Sequence, residues 1–294
     1  DDAMERRTHL HPDWGLMTHH ADSWLMARLP ADGEYCVQLT DAQARHGPEF
    51  AYRLRISEPR PDFEILVTPS SLRVEPGRWT TATAHVIRRD GFSGPIALGV
   101  GKGPGGVVLS GARIPANVDR ITFTVGSERP IEGVCPLRID AVGVINGTSA
   151  MRTAVAADEV EQAFLWRHLA PRQTLLLAGG AAGRGSALPR LKTDSPVALK
   201  PGSTASVVVV DDRLRLAANP RLILKEAPAG ITLGPPRVRG DELTIEVSRA
   251  PAMSAAAGNL LIEASVESRL RRPGDGAPRS FTWLLPAIGC EPGR

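Results

Sequence analysis

Short runs of alternating apolar and polar residues, broken by Pro-Gly turns, dominate the chain and predict β-strands. Two stretches about 124 residues apart repeat the same order of turns and runs, as expected of a duplicated domain. The first stretch comprises residues 74–77, 96–98, 104–109, 121–125 and 137–141, and the second comprises residues 199–202, 222–224, 228–233, 243–247 and 260–264. The repeat therefore predicts two copies of one all-β unit.

Two further strand-like runs precede the repeat, at residues 35–39 and 50–56. The second run has period two, as in a strand with one solvated face. Its apolar face contains Tyr52, Leu54 and Ile56, and its basic face contains Arg53 and Arg55. The sequence Glu-Pro-Arg-Pro at residues 58–61 predicts a stiff, extended tether to the next domain, because proline restricts its own backbone conformation and that of the preceding residue.

One segment departs from the β pattern and predicts a helix of about twelve residues. Asp158 and Glu161 have the spacing of a capping box, and Pro171 would end the helix. Its apolar face would comprise Val160, Ala163 and Phe164. The helix would either pack between two domains or lie on the surface with no interdomain role.

Charge and composition exclude several classes of function. The 35 basic and 32 acidic residues leave a formal net charge of +3, without the blocks of like charge that mark nucleic-acid arms. No apolar run approaches the length of a membrane span, so we expect no membrane insertion. Cys36, Cys135 and Cys290 are far apart and predict isolated, mostly buried thiols rather than a zinc site or a disulfide framework.

No catalytic motif stands out in the chain. Residues 101–106 match GxGxxG literally, but Pro104 interrupts the turn and another strand follows, whereas dinucleotide binding needs a helix there. We find no nucleophile elbow, no HExxH and no pair of carboxylates in a glycosidase-like context. The sequence therefore predicts a protein that is not an enzyme.

Exposed aromatic residues are the best candidates for binding. Trp79 lies opposite the small or apolar face formed by Ala82, Ala84 and Val86, so it would project outward from a sheet. An outward tryptophan can stack on a sugar ring or a partner protein, or it can cap its own sandwich or pack on a neighbouring domain. The candidate binding residues are Trp14, Trp24 and Trp79.

A group of histidines near the N-terminus is a weak candidate for a metal site. The residues concerned are His9, His11, His19, His20 and Asp22. The alternative is a set of solvated histidines in a loop-rich segment.

Two regions resemble known families. Residues 29–41 and 47–56 resemble the C-terminal half of the bacterial pre-peptidase C-terminal domain, a jelly-roll-like β-sandwich attached to exported proteins. Residues 88–96, 110–116 and 162–169 resemble the immunoglobulin-like domains that follow such modules in planctomycete-type exported proteins. Together these resemblances cover most of residues 20–170, and the internal repeat extends them to the last domain.

The resulting prediction is an all-β chain of tandem β-sandwiches, a partial jelly roll plus two immunoglobulin-like domains, with one short linking helix. We assign residues 1–58 to the partial jelly roll, 59–157 to the first immunoglobulin-like sandwich, 158–171 to the helix and 172–294 to the second immunoglobulin-like sandwich. Residues 174–178 would form the first strand of that last domain. We expect the chain to be a fragment of a longer protein.

The resemblance implies a non-catalytic spacer, adhesion or substrate-docking region of an exported protein, periplasmic or on the cell surface. The alternative is a carbohydrate-binding accessory module of a secreted hydrolase. We expect an extracellular protein or a polysaccharide as partner, and no cofactor other than calcium, whose family ligands cannot be transferred to this chain. The oligomeric state stays open, although an incomplete N-terminal sandwich would expose sheet edges that invite pairing.

Overall fold

The computed structural model describes residues 16–17, 25–41, 43–162, 166–180, 187–252, 257–268 and 280–293. These residues form two β-sandwiches in tandem, which confirms the predicted fold class. The only helical element among them is one 3-10 helix, Asp212–Leu216, in the second sandwich.

The first sandwich consists of two sheets facing each other across one core. Its strands, after a short β1 (Leu16–Met17), are β2 (Asp62–Thr68), β3 (Ser71–Val74), β4 (Trp79–Arg89), β5 (Ile96–Lys102), β6 (Val107–Ser110), β7 (Arg113–Ile114), β8 (Arg120–Ser127), β9 (Val134–Ile145), β10 (Thr148–Thr153), β11 (Val155–Gln162), β12 (Trp166–Arg172) and β13 (Leu175–Gly179). One sheet has the order β1-β12-β11-β2-β4-β8-β6, and the other has the order β3-β13-β9-β5-β7, with β10 also paired to β9.

The sheet order within the first sandwich matches the A-B-E-D and C-F-G sheets of an immunoglobulin constant-type domain. The first strand is divided between the two sheets. Its β2 part pairs antiparallel with β4, and its β3 part pairs parallel with β13 in the opposite sheet. Phe63, Phe123, Ile139 and Leu177 are fully buried where the two sheets face each other.

The second sandwich repeats this arrangement. Its strands are β14 (Arg190–Leu191), β15 (Val197–Leu199), β16 (Thr204–Val210), β17 (Ala217–Glu226), β18 (Ile231–Leu233), β19 (Arg237–Arg239), β20 (Glu242–Arg249), β21 (Gly258–Ser268), β22 (Ser280–Leu284) and β23 (Ile288–Pro292). One sheet has the order β14-β16-β20-β18, with β19 on β20, and the other has the order β15-β23-β21-β17, with β22 on β21.

The turns of the two sandwiches correspond as closely as their strands. Gly77 and Gly202, each between the divided first strand and the next strand, have φ values of 69° and 71°. Gly106 and Gly230, each just before the fourth strand of the A-B-E-D sheet, have φ values of 88° and 78°. Glycine adopts this left-handed conformation without the steric penalty of a Cβ atom. The internal repeat in the sequence is therefore a structural repeat.

The predicted helix at residues 158–171 is wrong, because these residues belong to the antiparallel pair β11 and β12. The start of β11 pairs with β2, and that pairing overrides the local capping signal. Asp158 does not cap a helix but accepts hydrogen bonds from the main chain and the hydroxyl of Ser70. Pro171 lies within β12, near one border of the sheet, where proline is tolerated.

The β11–β12 hairpin is an insertion into the last strand of the first sandwich. That strand begins as β10, which pairs with β9, and resumes as β13, which pairs with the first part of β9. Between them the chain crosses to the other sheet and adds two strands beside β2. In the second sandwich the corresponding break between β22 and β23 is only residues 285–287.

This insertion moves the boundary between the sandwiches. Residues 174–178, predicted as the first strand of the last domain, lie mostly in β13, which pairs with β3 and β9 and completes the first sandwich. The second sandwich begins with β14. The 59–157 and 172–294 boundaries were wrong because the apolar run of β13 pairs with strands that precede it by many residues.

The strands predicted at residues 35–39 and 50–56 are not present. Both runs are without ladder partners in the described part of the chain, and their apolar side chains are exposed, Tyr52 and Ile56 each to 74%. Period-two patterning makes a strand only where a neighbouring strand accepts its hydrogen bonds and a core covers its apolar face. The described residues from 25 to 61 therefore do not form a partial jelly roll.

Candidate functional site

A break in the first sheet forms the most distinctive surface feature of the first sandwich. β2 leaves the sheet after Thr68, where it pairs with Thr83 of β4. Its neighbours β4 and β11 continue past this point, and β11 pairs with β2 only through Val155 and Ala156. In the described part of the chain, residues 79–82 of β4 and residues 157–162 of β11 therefore lack ladder partners on the sides that face each other. We name this feature the β4–β11 gap.

A cavity of about 350 Å³ lies in the β4–β11 gap. Its lining is about equally polar and apolar, and the polar part consists of hydroxyl groups from β2 and β4 and carboxylates from β11. The lining residues are Thr68, Pro69, Thr81, Ala82, Thr83, Asp158 and Glu159. The site can therefore both donate and accept hydrogen bonds, and it has an acidic border on the β11 side.

A buried histidine lies beside this cavity. His85, 1% exposed, shares a hydrogen bond of 3.1 Å with the hydroxyl of Thr68, and its Nε2 lies 3.7 Å from a carboxylate oxygen of Glu159. The pKa of His85 is lowered to about 4, mainly by burial; the Glu159 carboxylate opposes this shift, and the Arg120 charge contributes a smaller part of the lowering. At neutral pH His85 is therefore an uncharged hydrogen-bonding group and not half of an ion pair.

Asp158 joins the inserted hairpin to the main sandwich. Its carboxylate accepts hydrogen bonds from the Ser70 amide at 2.9 Å, the Ser70 hydroxyl at 3.0 Å and the Arg172 guanidinium at 2.8 Å. The Ser70 amide and then Arg172 hold the pKa of Asp158 below its ordinary value. Asp158 is thus an anion at neutral pH and fixes one wall of the gap.

Of the predicted binding residues, the structure describes only Trp79. Its indole Nε1 donates a 2.9 Å hydrogen bond to the carbonyl of Pro189, in the segment that leads into the second sandwich. A Cβ atom at Gly126 would lie 2.8 Å from the Trp79 ring and 2.9 Å from Leu188, so this glycine leaves the space that both side chains occupy. Trp79 is partly buried and packs against the linking segment.

The remaining candidate residues lie outside the described part of the chain. They are Trp14, Trp24, His9, His11, His19, His20 and Asp22. Within the described residues, no group of three or more His, Cys, Asp or Glu side chains has an arrangement that would hold a metal ion.

A polar interface between the two sandwiches could not be predicted from the sequence. The side-chain amide of Asn259, in β21, donates to the Gly111 carbonyl at 2.7 Å and to the Thr122 carbonyl at 2.8 Å. Asn259 is 8% exposed, so both bonds are largely shielded from water. A side chain at Gly111 would collide with Asn259 and with Ala287, and the φ of Gly111 is +66°. Close approach of the two sandwiches therefore requires glycine at position 111.

A second set of hydrogen bonds lies beside the first. Ala287, fully buried between β22 and β23, donates its amide to the Thr124 hydroxyl at 3.0 Å. Its carbonyl accepts a 2.9 Å bond from the hydroxyl of Ser110. In sequence these Ser and Thr residues look like solvated positions of strands, and only the docking of the second sandwich buries them. No local pattern marks a partner 163 residues away.

The three cysteines are free thiols, but the prediction that they are mostly buried is wrong. Cys36 is exposed, Cys135 is half-buried and Cys290 is buried. Burial raises the pKa of the Cys290 thiol, so this group resists ionisation.

No family model matches the chain, and no curated protein matches it significantly. The described residues include no helix with the length and hydrophobicity needed to cross a bilayer.

Proposed function

We propose that the chain is a non-catalytic, exported region of a larger protein in which two sandwiches act as a rigid spacer and docking or adhesion unit. The observation that carries this proposal is the hydrogen-bonded contact of Asn259 and Ala287 with the first sandwich. Buried polar groups must keep their partners, so a change of angle between the sandwiches would break several bonds at once. The assignment to export rests on the family resemblance described above.

The contact resists bending more than a flexible tether would. Thr124 and Ala287 are fully buried and Asn259 is 8% exposed. The surrounding ion pairs, Arg113 with Glu291 and Arg120 with Glu226, are long at 3.8 Å and exposed, so they add little to the rigidity. The polar centre of the contact therefore sets the interdomain angle that a spacer needs.

Distance measurements between spin labels would test the rigid-spacer proposal. The labels would be placed at Thr148→Cys and Thr204→Cys, on exposed positions of the two sandwiches, with Cys36 and Cys135 replaced by serine. We expect a single narrow distance distribution that broadens when Asn259→Ala is added. A broad distribution in the parent protein would rule out a rigid spacer.

The docking part of the proposal needs a separate binding test. Purified chain would be applied to panels of extracellular proteins and polysaccharides, with and without calcium. Saturable retention of the chain supports the docking role, whereas retention nowhere in the panel leaves a spacer role only. Calcium-dependent retention would also identify calcium as a cofactor.

A carbohydrate-binding accessory role is the second candidate, favoured by the partly exposed position of Trp79 beside Thr81. Sugars bind by stacking on an aromatic ring while nearby hydroxyls and carboxylates bond their hydroxyl groups. We expect Trp79→Ala to abolish retention on a polysaccharide and Trp79→Phe to preserve part of it. Equal retention of both variants and the parent would exclude Trp79 from such a site.

A further inference from the structure

The chain has four asparagines, and one of them differs from the rest in its surroundings. They are Asn117, Asn146, Asn219 and Asn259. Asn259 is buried, and its amide donates two hydrogen bonds across the contact between the sandwiches. Asn219 is exposed, but its amide donates a 2.7 Å hydrogen bond to the Glu267 carboxylate. In the described part of the chain, only Asn117 and Asn146 combine an exposed position with a side-chain amide that makes no hydrogen bond.

The residue that follows separates these two asparagines. Val118, after Asn117, is β-branched, and its main-chain amide donates a 3.3 Å hydrogen bond to the Pro115 carbonyl. Gly147, after Asn146, is exposed, and its main-chain amide makes no hydrogen bond with any residue that the structure describes. A Cβ atom built on Gly147 would meet no described atom within 4 Å. The space around the Gly147 amide is therefore open.

Asn146 and Gly147 form the two-residue turn of the β9–β10 hairpin. The flanking Ile145 and Thr148 pair directly with each other, and the φ values of the two turn residues are +49° and +79°. Positive φ at both positions is the type I′ geometry, for which Asn-Gly is a preferred sequence. The hydrogen bonds that close such a turn join its flanking residues, so they leave the Gly147 amide unused.

We propose that Asn146 and Gly147 form a self-modifying site that converts the Asn146 amide to a carboxylate. The ionised main-chain nitrogen of Gly147 attacks Cγ of Asn146, forming an N–Cγ bond and closing a five-membered succinimide ring. The Cγ–Nδ2 bond breaks, and the side-chain nitrogen leaves as ammonia after it takes up the proton that the Gly147 nitrogen lost. Glycine favours this attack because it has no Cβ atom to obstruct ring closure.

Water then opens the ring at either of its two carbonyl carbons. Attack at Cγ restores the ordinary main chain and leaves aspartate at position 146. Attack at the main-chain carbonyl carbon leaves isoaspartate, in which the main chain runs through Cβ and Cγ and is one carbon longer. Each product adds one negative charge, which lowers the formal net charge of the chain from +3 to +2.

The two products affect the β9–β10 hairpin differently. Aspartate keeps the turn, because Asp-Gly is also a preferred type I′ sequence. Isoaspartate lengthens a turn whose flanking residues pair directly, so it weakens the pairing of β10 with β9. β10 carries Arg152, whose guanidinium binds Asp62 at 2.9 Å and lies 5.9 Å from the centre of the Phe63 ring. Weaker pairing of β10 would therefore also loosen its contact with the start of β2.

Mass spectrometry of peptides from the folded chain, incubated at pH 8, tests the proposal. We expect Asn146 to lose its amide at least about tenfold faster than any of the other three asparagines, because only its neighbour places an unobstructed nitrogen beside a free side-chain amide. Asn117 is the matched control, since it is exposed and has a similar φ of +60°. An Asn146 amide that is lost no faster than that of Asn117 would overturn the proposal.

The identity of the nucleophile is tested by pH and by a variant. Only the ionised nitrogen attacks, so the rate should rise at least about threefold between pH 7 and pH 8. Gly147→Asn keeps a residue that tolerates positive φ but adds a Cβ atom, and we expect it to slow the loss of the Asn146 amide at least about fivefold. A rate that is independent of pH, or an unchanged rate in Gly147→Asn, would contradict attack by the Gly147 nitrogen.

Hydrogen exchange of the separated products tests the effect on the hairpin. Asn146→Asp reproduces the added charge with an ordinary main chain, so its β10 amides should exchange as in the parent protein. We expect these amides to exchange at least about tenfold faster in the isoaspartate product. Asn146→Gly keeps a type I′ sequence without the reactive amide, and it should develop no new charge form on ion exchange. Equal exchange in both acidic forms, or a new charge form in Asn146→Gly, would refute the assignment.

Discussion

The side-chain amide of Asn259 in the second sandwich donates a 2.8 Å hydrogen bond to the main-chain carbonyl of Thr122 in the first. The same amide group also donates to the carbonyl of Gly111 at 2.7 Å. One side chain thus satisfies two main-chain acceptors across the interface, and its loss would leave both without a protein partner in a poorly hydrated place.

Truncation of Asn259 should uncouple the two sandwiches. We expect Asn259→Ala to lower the free energy of unfolding by about 2 kcal/mol, because two shielded carbonyls lose their donors. Scanning calorimetry should show one cooperative transition in the parent, because the two sandwiches unfold together. In the variant it should show two separated transitions, one for each sandwich. Thr204→Ala, at an exposed position of the same sandwich, should change stability by no more than about 0.5 kcal/mol. Identical traces for Asn259→Ala and the parent would contradict a structural role for this contact.

The first sandwich should lose stability in mild acid through His85. Its pKa is about 4 when folded and near 6.5 when unfolded, so the unfolded state binds more protons between these values. The free energy of unfolding therefore falls as the pH drops from about 6.5 to 4, by roughly 3 kcal/mol in total for this group. His85→Gln should remove that part of the pH dependence. Urea titrations at pH 7 and pH 5 give the change in the free energy of unfolding between these two pH values. The same change in the parent and in His85→Gln would disprove the assignment.

Two glycines of the same sheet should respond oppositely to alanine. A Cβ atom at Gly179 would collide with the main-chain carbonyl of Ile131, which cannot move away as a side-chain end could. We expect Gly179→Ala to destabilise the first sandwich by about 1–3 kcal/mol. Gly99 has no atom within 4 Å of the corresponding position, so Gly99→Ala should be neutral or slightly stabilising. Thermal unfolding of both variants makes this comparison, and equal melting temperatures would refute it.

The attachment of the inserted hairpin should depend on the charge of Asp158. The Asp158 carboxylate accepts three hydrogen bonds, whereas the amide of Asp158→Asn would turn its NH₂ group toward one of the donors. We expect this change to lower the free energy of unfolding by about 1 kcal/mol. Because the pKa of Asp158 is lowered in the fold, its stabilisation is complete above the ordinary pKa and is lost as the pH falls through the folded value.

Hydrogen exchange at Ser70 measures this attachment directly, because the Ser70 amide donates to Asp158. Exchange at Ser70 should accelerate in Asp158→Asn. Asp119→Asn is a suitable control, since Asp119 accepts its hydrogen bond from Arg88 elsewhere in the sandwich. Acceleration in both variants would indicate general loosening rather than release of the hairpin.

Local pattern was enough to predict the sandwiches but not their boundary. Pro-Gly turns at Gly77 and Gly202 and the period-two runs between turns are short-range features, and the structure confirms them. The run at β13 looked the same whether it began a domain or ended one. The sandwich to which β13 belongs is decided by its pairing with β3, about a hundred residues earlier. The alternation of apolar and polar residues within a strand does not indicate which other strand it pairs with.

The error at Asp158 has a similar physical cause. Its spacing to Glu161 fits a helix start, but Asp is equally suited to bonding main-chain amides in other structures, and here it bonds Ser70. The interface at Asn259 could not be predicted at all, because its acceptors are main-chain carbonyls that any sequence would supply. The β4–β11 gap likewise results from where β2 changes sheets and not from a motif.

The divided last strand has a consequence for the order of events during synthesis of the chain. β3 pairs in parallel with β13, and the inserted hairpin delays β13 until residues 175–179 have been made. Until then the second sheet lacks the strand that joins β3 to β9, so the first sandwich cannot close its core early on the ribosome. Nascent chains in which residues 175–179 have not yet left the ribosome should therefore lack a closed first sandwich, because domains fold as units once their last strand is available.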